Sequence, residues 1–307
     1  MTSTVKILLA AIGLVVLAGA ALWIAIRING PAVLDAVDRV TGGNRQTELV
    51  GRDSYGTHPA QKLRFYESGR ASAPRPIFVF FHGGSWRSGD PDDYGFVARA
   101  IAPEGFVVVL AGYRLGEDGR YPAMLQDTAA AIAEVRNLAP AYDGDPDRIV
   151  LAGHSAGAYN VAQIALAPRW LQQAGVPQDA IRGVVGLSGP YDFYPFDSDS
   201  TKAAFGSVGA AGDSQPVNQA RGDAPPMLLV HGLQDTLVKP RNTRALAAAL
   251  NAAGAQVQTI FYPDMDHNAP LISLASPWRG RRDVGREIAA FARGATEISV
   301  PVNTETP

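Results

Sequence analysis

Ile149-Val150-Leu151-Ala152-Gly153-His154-Ser155-Ala156-Gly157-Ala158 is the stretch on which the fold turns. Its first four residues are apolar and partly β-branched, as in a buried strand. It runs on into Tyr159-Asn160-Val161-Ala162-Gln163-Ile164-Ala165-Leu166, which suits a helix. Between the two stands Gly-x-Ser-x-Gly, with Gly153 and Gly157 flanking Ser155. A serine on a sharp strand-to-helix turn needs that spacing, because a side chain at either glycine would strike neighbouring backbone. The following helix aims its free N-terminal N–H groups at the serine, where they can hold a developing oxyanion. The competing reading is a glycine-rich turn with an idle serine, and the flanking sequence bears on the choice.

Working outward, residues 76–81 and 106–110 are near-continuous apolar runs, so both read as strands buried on two faces. The first ends in His82-Gly83-Gly84-Ser85-Trp86, the second in Gly112-Tyr113-Arg114-Leu115. Residues 122–138 carry helical periodicity through Met124, Leu125, Ala129, Ile132 and Val135. Residues 143–148 read as a turn feeding the strand at 149–152. Further strands are expected at 182–187, 227–230 and 256–262, with helices at 241–253 and 283–293. Residues 47–53 and 61–67 alternate in polarity around a turn and read as an antiparallel pair. Strands alternate with helices, which predicts an α/β fold: a mostly parallel sheet with helices on both faces. The domain should span 47–295, with a cap insertion at 189–225 and a loose polar tail at 296–307.

Composition excludes more than it assigns. Across 307 residues the formal net charge is −2, so nothing electrostatic points to nucleic acid as a partner. Cysteine is absent, which rules out a thiol nucleophile and Cys-ligated metals. No metal site and no cofactor are expected. Residues 7–26 are apolar and uncharged, and as a helix would span roughly 30 Å, a bilayer core. Lys6 and Arg27 bound this run, and Trp23 sits near its second end. Residues 1–28 therefore read as a membrane anchor that holds the rest of the chain outside the cytoplasm. One alternative is a signal peptide cleaved near Ala18-Gly19-Ala20, giving a secreted or periplasmic protein; another is a buried core helix. Residues 29–46 read as a linker or a short amphipathic piece.

A serine nucleophile needs a base, and the base needs an orienting carboxylate. Of the five histidines, His58 lies in an early turn. His82 should support its glycine loop, His154 should point away from Ser155, and His231 should hold the turn after its strand. His267 remains, in a loop just after the last strand, at the sheet edge where Ser155 emerges. Asp235 fits as its carboxylate, following the strand at 227–230. Asp264, Asp266 and Asp192 compete for that role. The Gly83-Gly84 loop exposes consecutive backbone N–H groups, and the N–H of Ala156 follows the serine directly.

The order His-Gly-Gly-x-Trp, Gly-His-Ser-Ala-Gly, Asp235, His267 resembles the α/β-hydrolase superfamily. More narrowly it is similar to small carboxylesterases of the hormone-sensitive-lipase-like, kynurenine-formamidase-like and deacetylase/feruloyl-esterase-like branch. The resemblance implies an eight-stranded sheet with one antiparallel edge pair. It implies a triad of Ser155, Asp235 and His267, with oxyanion donors at Gly84, Ser85 and Ala156. Lipase-like members often carry a third glycine where this chain has Ser85. The aromatics of 189–225 read either as pocket lining or as packing; Trp86, Tyr194 and Phe196 are the pocket candidates. Arg114 and Asp127 read as an ion pair beneath the site. The function implied is a serine esterase acting on small carboxylic esters. The alternatives are formamide hydrolysis by the same triad, and a catalytically silent binding protein at the membrane.

Overall fold

The computed structural model describes residues 3–43, 46–206, 208 and 211–297. Among them eight strands form one sheet in the order β1-β2-β4-β3-β5-β6-β7-β8. They are β1 (Thr47–Ser54), β2 (Lys62–Ser68), β3 (Arg75–Phe81), β4 (Val107–Ala111), β5 (Gly144–His154), β6 (Ile181–Leu187), β7 (Met227–Gly232) and β8 (Val257–Tyr262). β2 pairs antiparallel with both β1 and β4, and the remaining pairs are parallel.

The apolar runs sort by parity, as strand geometry requires. Ile77, Val79 and Phe81 enter one core, Phe78 and Phe80 the other, and β4 and β5 divide likewise. Helices cover both faces. In chain order they are α1 (Ser3–Val40), α2 (Gly95–Ile101), α3 (Ala123–Leu138), α4 (Ala156–Leu166), α5 (Arg169–Gln173), α6 (Asp199–Phe205), α7 (Arg241–Ala253), α8 (Ala269–Ile272) and α9 (Val284–Glu297). α3, α4 and α7 pack on the first face, α2 and α9 on the second. The chain leaves β3 for β4 on one side and returns to β5 on the other. That reversal opens a crevice beyond the C-terminal ends of β3 and β5.

Two expectations are corrected here. The turn expected at 143–148 is largely strand, because β5 starts at Gly144, which pairs with Arg75 ahead of a register shift. The closing helix runs past 293 to Glu297, and buried Thr296 returns its hydroxyl to the Ala292 carbonyl at 2.9 Å. The rest of the expected tail, 298–307, lies outside the described residues.

α1 holds the larger correction. It is non-helical at Asn29 (φ −149°, ψ 82°). Asn29 starts a second helical half, its Oδ1 accepting the N–H of Ala32 at 3.1 Å. Residues 29–40, expected as a linker or a short amphipathic piece, are thus helix up to Val40 and docked on the domain. Asp38 is fully buried, and its carboxylate accepts from Arg99 Nε, from Arg279 Nη2 at 3.1 Å and from the Ser276 N–H at 2.7 Å. Asp35, also buried, pairs with Arg99 and Arg39. Asp35 and Asp38 are thus the docking contacts of this half. Asp38→Ala leaves a buried guanidinium short of its partner, so it should cost about 3–5 kcal/mol of unfolding free energy. Urea denaturation reads this directly, and a loss below about 1 kcal/mol would mean that the docking contributes little.

The stretch Ile12–Val40 of α1 is long and apolar enough to cross a membrane, by length and composition. In the half before Asn29 the side chains of Leu14, Leu17, Trp23 and Ile28 are exposed and do not pack in the core of the domain.

Candidate active site

Ser155 stands between β5 and α4 at φ 53°, ψ −118°, a conformation costly for a residue with a side chain. Its N–H is held by the Leu187 carbonyl at 2.8 Å. The two glycines are required by contact: a Cβ at Gly153 would land on the Gly157 carbonyl group, and one at Gly157 on the Phe81 carbonyl oxygen. The turn thus brings α4 against the end of β3 and raises Ser155 Oγ into the crevice.

His267 reaches it from the loop after β8. Its Nε2 lies 2.9 Å from Ser155 Oγ and its Nδ1 2.7 Å from Asp235 Oδ2. The competing carboxylates are engaged elsewhere. Asp264 pairs with Arg282, and Asp192 contacts Arg241 at 3.4 Å. Asp266 accepts the N–H groups of Asn268 and Ala269, both at 3.0 Å, at the start of α8.

Asp235 is fixed on both oxygens. Oδ1 accepts the N–H groups of Leu237 and Val238, both at 2.9 Å. Oδ2 accepts from His267 and lies 3.2 Å from His231 Nε2. Burial pushes this carboxyl up, but the hydrogen bonds from His231 and His267 outweigh it and hold the pKa well below the usual range. Facing an anion, His267 Nδ1 carries the proton, which leaves Nε2 free to accept the Ser155 hydroxyl proton.

Two further histidines build the site, and sequence reasoning misses how. His154 does not simply turn away from Ser155: its Nε2–H donates to the His267 carbonyl at 3.0 Å, and the two rings lie 5.0 Å apart. His231 does hold the turn after β7, donating to the Val238 carbonyl at 2.7 Å, and it also touches Asp235. Burial pushes the His154 pKa down to about 3 and that of His82 to about 4, so both are neutral in the fold. An unfolded chain takes up protons on both near pH ~6.5, and Asp235 adds to the loss at lower pH. Stability should therefore fall as pH drops from ~6.5 toward ~4. A urea midpoint that stays flat over that window would show that these imidazoles accept protons in place.

The loop after β3 supplies donors. Gly84, Ser85 and Trp86 have φ of 117°, 55° and 57°, so two residues with side chains adopt the left-handed region here. The loop is held closed by Arg87 N–H on the Gly84 carbonyl at 2.9 Å, and by Gly116 N–H on the Trp86 carbonyl at 2.8 Å. Among the described residues no protein acceptor takes the N–H groups of Gly84, Ser85 or Ala156. His82 supports the loop from below, stacked on Tyr113 at 4.7 Å, with Nδ1 on the Gly83 carbonyl at 2.7 Å. Trp86 Nε1 donates to Asn160 Oδ1 at 3.2 Å, and Asn160 donates to Thr128 at 3.2 Å. Arg114 and Asp127 form the expected ion pair at 2.8 Å.

Two clefts meet at Ser155. One, of about 190 Å³, is lined by Trp86, Ala156, Pro190, Phe193 and Leu237. The other, of about 450 Å³, is lined by the glycine loop, His267, Leu271 and residues 28–31 of α1. Tyr194 and Phe196, expected in the pocket, line neither. Gln215 Oε1 accepts the N–H groups of Phe193 and Tyr194 at 2.8 and 3.2 Å. With the backbone held there, Phe193 packs beside Trp86 and Tyr194 is left 57% exposed. Phe196 packs on Phe205 instead.

The BD-FAE family model matches residues 63–250, from the second strand through most of α7. The chain belongs to the BD-FAE family. Within the α/β-hydrolase superfamily, its curated relatives include isoprenylcysteine alpha-carbonyl methylesterase ICME of Arabidopsis thaliana. That protein is 27% identical over 250 residues, covering 75% of this chain and 58% of the relative. Esterase LipC of Mycobacterium tuberculosis is 28% identical over 258 residues, covering 77% of this chain and 64% of the relative. The chain thus spans about three fifths of the length of the curated relatives it matches. Among solved structures, esterase B from Lactobacillus Rhamnosis superposes with a TM-score of 0.73 at 20% identity, over 90% of this BD-FAE chain and 96% of that one.

Proposed function

We propose that this BD-FAE chain is a serine esterase of small carboxylic esters, tethered to a membrane by the first half of α1. The observation that carries the reading is the hydrogen-bonded line from Ser155 Oγ through His267 to Asp235, at 2.9 and 2.7 Å. Ser155 Oγ bonds to the ester carbonyl carbon as its proton passes to His267 Nε2. The tetrahedral oxyanion is held by the N–H groups of Gly84, Ser85 and Ala156. The bond to the alcohol oxygen then breaks, and the alcohol leaves with the proton from His267. Water, deprotonated by the same histidine, attacks the acyl–Ser155 ester; the bond to Ser155 Oγ breaks, His267 returns the proton to Oγ, and the carboxylic acid is released. Asp235 remains an anion throughout and holds the tautomer. The names of the relatives, esterase and methylesterase, support the ester class.

The test is stoichiometric labelling by a fluorophosphonate, lost in Ser155→Ala, followed by turnover of a panel of acyl esters, feruloyl esters and formylkynurenine. Absence of labelling would favour a silent binding protein. A preference for formylkynurenine would replace the ester by an amide. For the tether, carbonate extraction should leave the full-length chain in the membrane pellet with its N-terminus intact. Cleavage near Ala20 would make the segment a signal peptide.

A further inference from the structure

The two clefts at Ser155 are distinguished by the proton path, on the esterase and tether readings above. The leaving alcohol takes its proton from His267 Nε2, so its oxygen sits on the His267 side of the serine. The larger cleft, about 450 Å³, is the one that His267 lines. The smaller, about 190 Å³, has Trp86 and Phe193 in its wall and lacks His267. A short acyl group fits the small cleft, and the alcohol moiety falls in the large one.

The wall of that alcohol cleft includes Ile28, Asn29, Gly30 and Pro31. These are the residues at which α1 leaves its apolar run. Trp23 lies at the end of the run with the Arg27 guanidinium 5.2 Å from its ring centroid. An indole and a basic side chain together suit the headgroup level of a bilayer. From Trp23 to Ile28 is about five helical residues, roughly 7–8 Å. Asn29 breaks the helix there but is itself pinned, its Nδ2 donating to Asp93 Oδ2 at 2.7 Å, and Asp93 lines the same cleft. Whatever angle the two halves of α1 adopt, the point of entry into the bilayer stays on the rim of the alcohol cleft. Ile28 and Leu237 both line the cleft and remain 80% and 68% exposed, two apolar side chains in a wall that also holds Ser88, Asp90 and Asp93; Leu237 is shared with the smaller cleft.

We propose that the substrate is a short-acyl ester of a membrane-embedded, lipid-like alcohol, whose alcohol end enters the large cleft from the bilayer surface beside Ile28. The hydrolysis frees the alcohol into the membrane and the short acid into water.

The full-length chain in phosphatidylcholine vesicles tests this with three esters: p-nitrophenyl acetate in water, and hexadecyl acetate or methyl palmitate in the bilayer. Hexadecyl acetate should exceed methyl palmitate in kcat/KM by about tenfold or more, since only it places the chain on the alcohol side. Ile28→Asp should lower the ratio of hexadecyl acetate to p-nitrophenyl acetate turnover by roughly fivefold, because it puts a charge where an apolar side chain lines the cleft. Equal or faster cleavage of methyl palmitate overturns the proposal. So does an untouched hexadecyl acetate in a preparation that consumes p-nitrophenyl acetate. Failure of the premises looks different: no turnover of any ester and no fluorophosphonate label removes the esterase, and release by carbonate removes the tether. Either takes the proposal with it.

Discussion

Ser155→Ala should lower kcat for ester hydrolysis by roughly 10³-fold or more while the fold survives. The change removes only Oγ. The turn is specified by Gly153, Gly157 and the Ser155 N–H on Leu187, all of which remain. Alanine suffers the same cost at φ 53° that serine already bears, so stability should move little. With Oγ gone, His267 Nε2 faces no hydroxyl and no acyl–enzyme can form. The N–H groups of Gly84, Ser85 and Ala156 persist, so weak catalysis of water attack is the expected residue. Steady-state turnover of p-nitrophenyl acetate, with contaminating esterases excluded by titrating the wild type with fluorophosphonate, measures the loss. Activity within about tenfold of wild type would remove Ser155 from the nucleophile's role.

The parts legible in sequence are those whose signal is local. Continuous apolar strands ending in turn residues mark β3, β5 and β7, and chemistry-bearing residues at those ends converge because parallel strands finish at one sheet edge. That logic sets Ser155 and Asp235 at one edge, while His267, after the half-exposed β8, is reached by eliminating the other four histidines. What stays hidden depends on contacts remote in sequence. His154 finds the His267 carbonyl across 113 residues, and Trp86 finds Asn160 across 74. Asp38 meets Arg279 across 241, which is why a docked helix reads as a linker. Tyr194 and Phe196 line neither cleft for a related reason. In an aromatic-rich insertion the ring that faces the cleft is chosen by where the backbone is pinned. Gln215, which pins it, carries no mark of that role. Short helices such as α2 and α6 lack the length to show a period.

Asp235→Asn should lower kcat by roughly 10⁴-fold, far more than the same change at Asp264 or Asp266. The reason lies in how the two carboxylate oxygens are used. Oδ1 accepts the N–H groups of Leu237 and Val238, so an amide introduced there keeps its oxygen on that side. Its NH₂ then occupies the place of Oδ2, against His267 Nδ1 and His231 Nε2. A donor now meets His267 Nδ1 and draws the imidazole into the tautomer with its proton on Nε2. That nitrogen can no longer accept from Ser155 Oγ. The NH₂ also meets the His231 N–H donor to donor, because His231 keeps that proton for the Val238 carbonyl. The anion that would stabilise protonated His267 is lost as well. Among the described residues Asp264 pairs only with exposed Arg282, and Asp266 accepts the N–H groups at the start of α8 through an oxygen that asparagine retains. Those two variants should stay within about threefold of wild type. Nitrogen-15 spectra of the His267 ring distinguish a switched tautomer from a loosened loop. If Asp264→Asn or Asp266→Asn cost more activity than Asp235→Asn, or if Asp235→Asn left the tautomer unchanged, Asp235 would lose its assignment as the orienting acid.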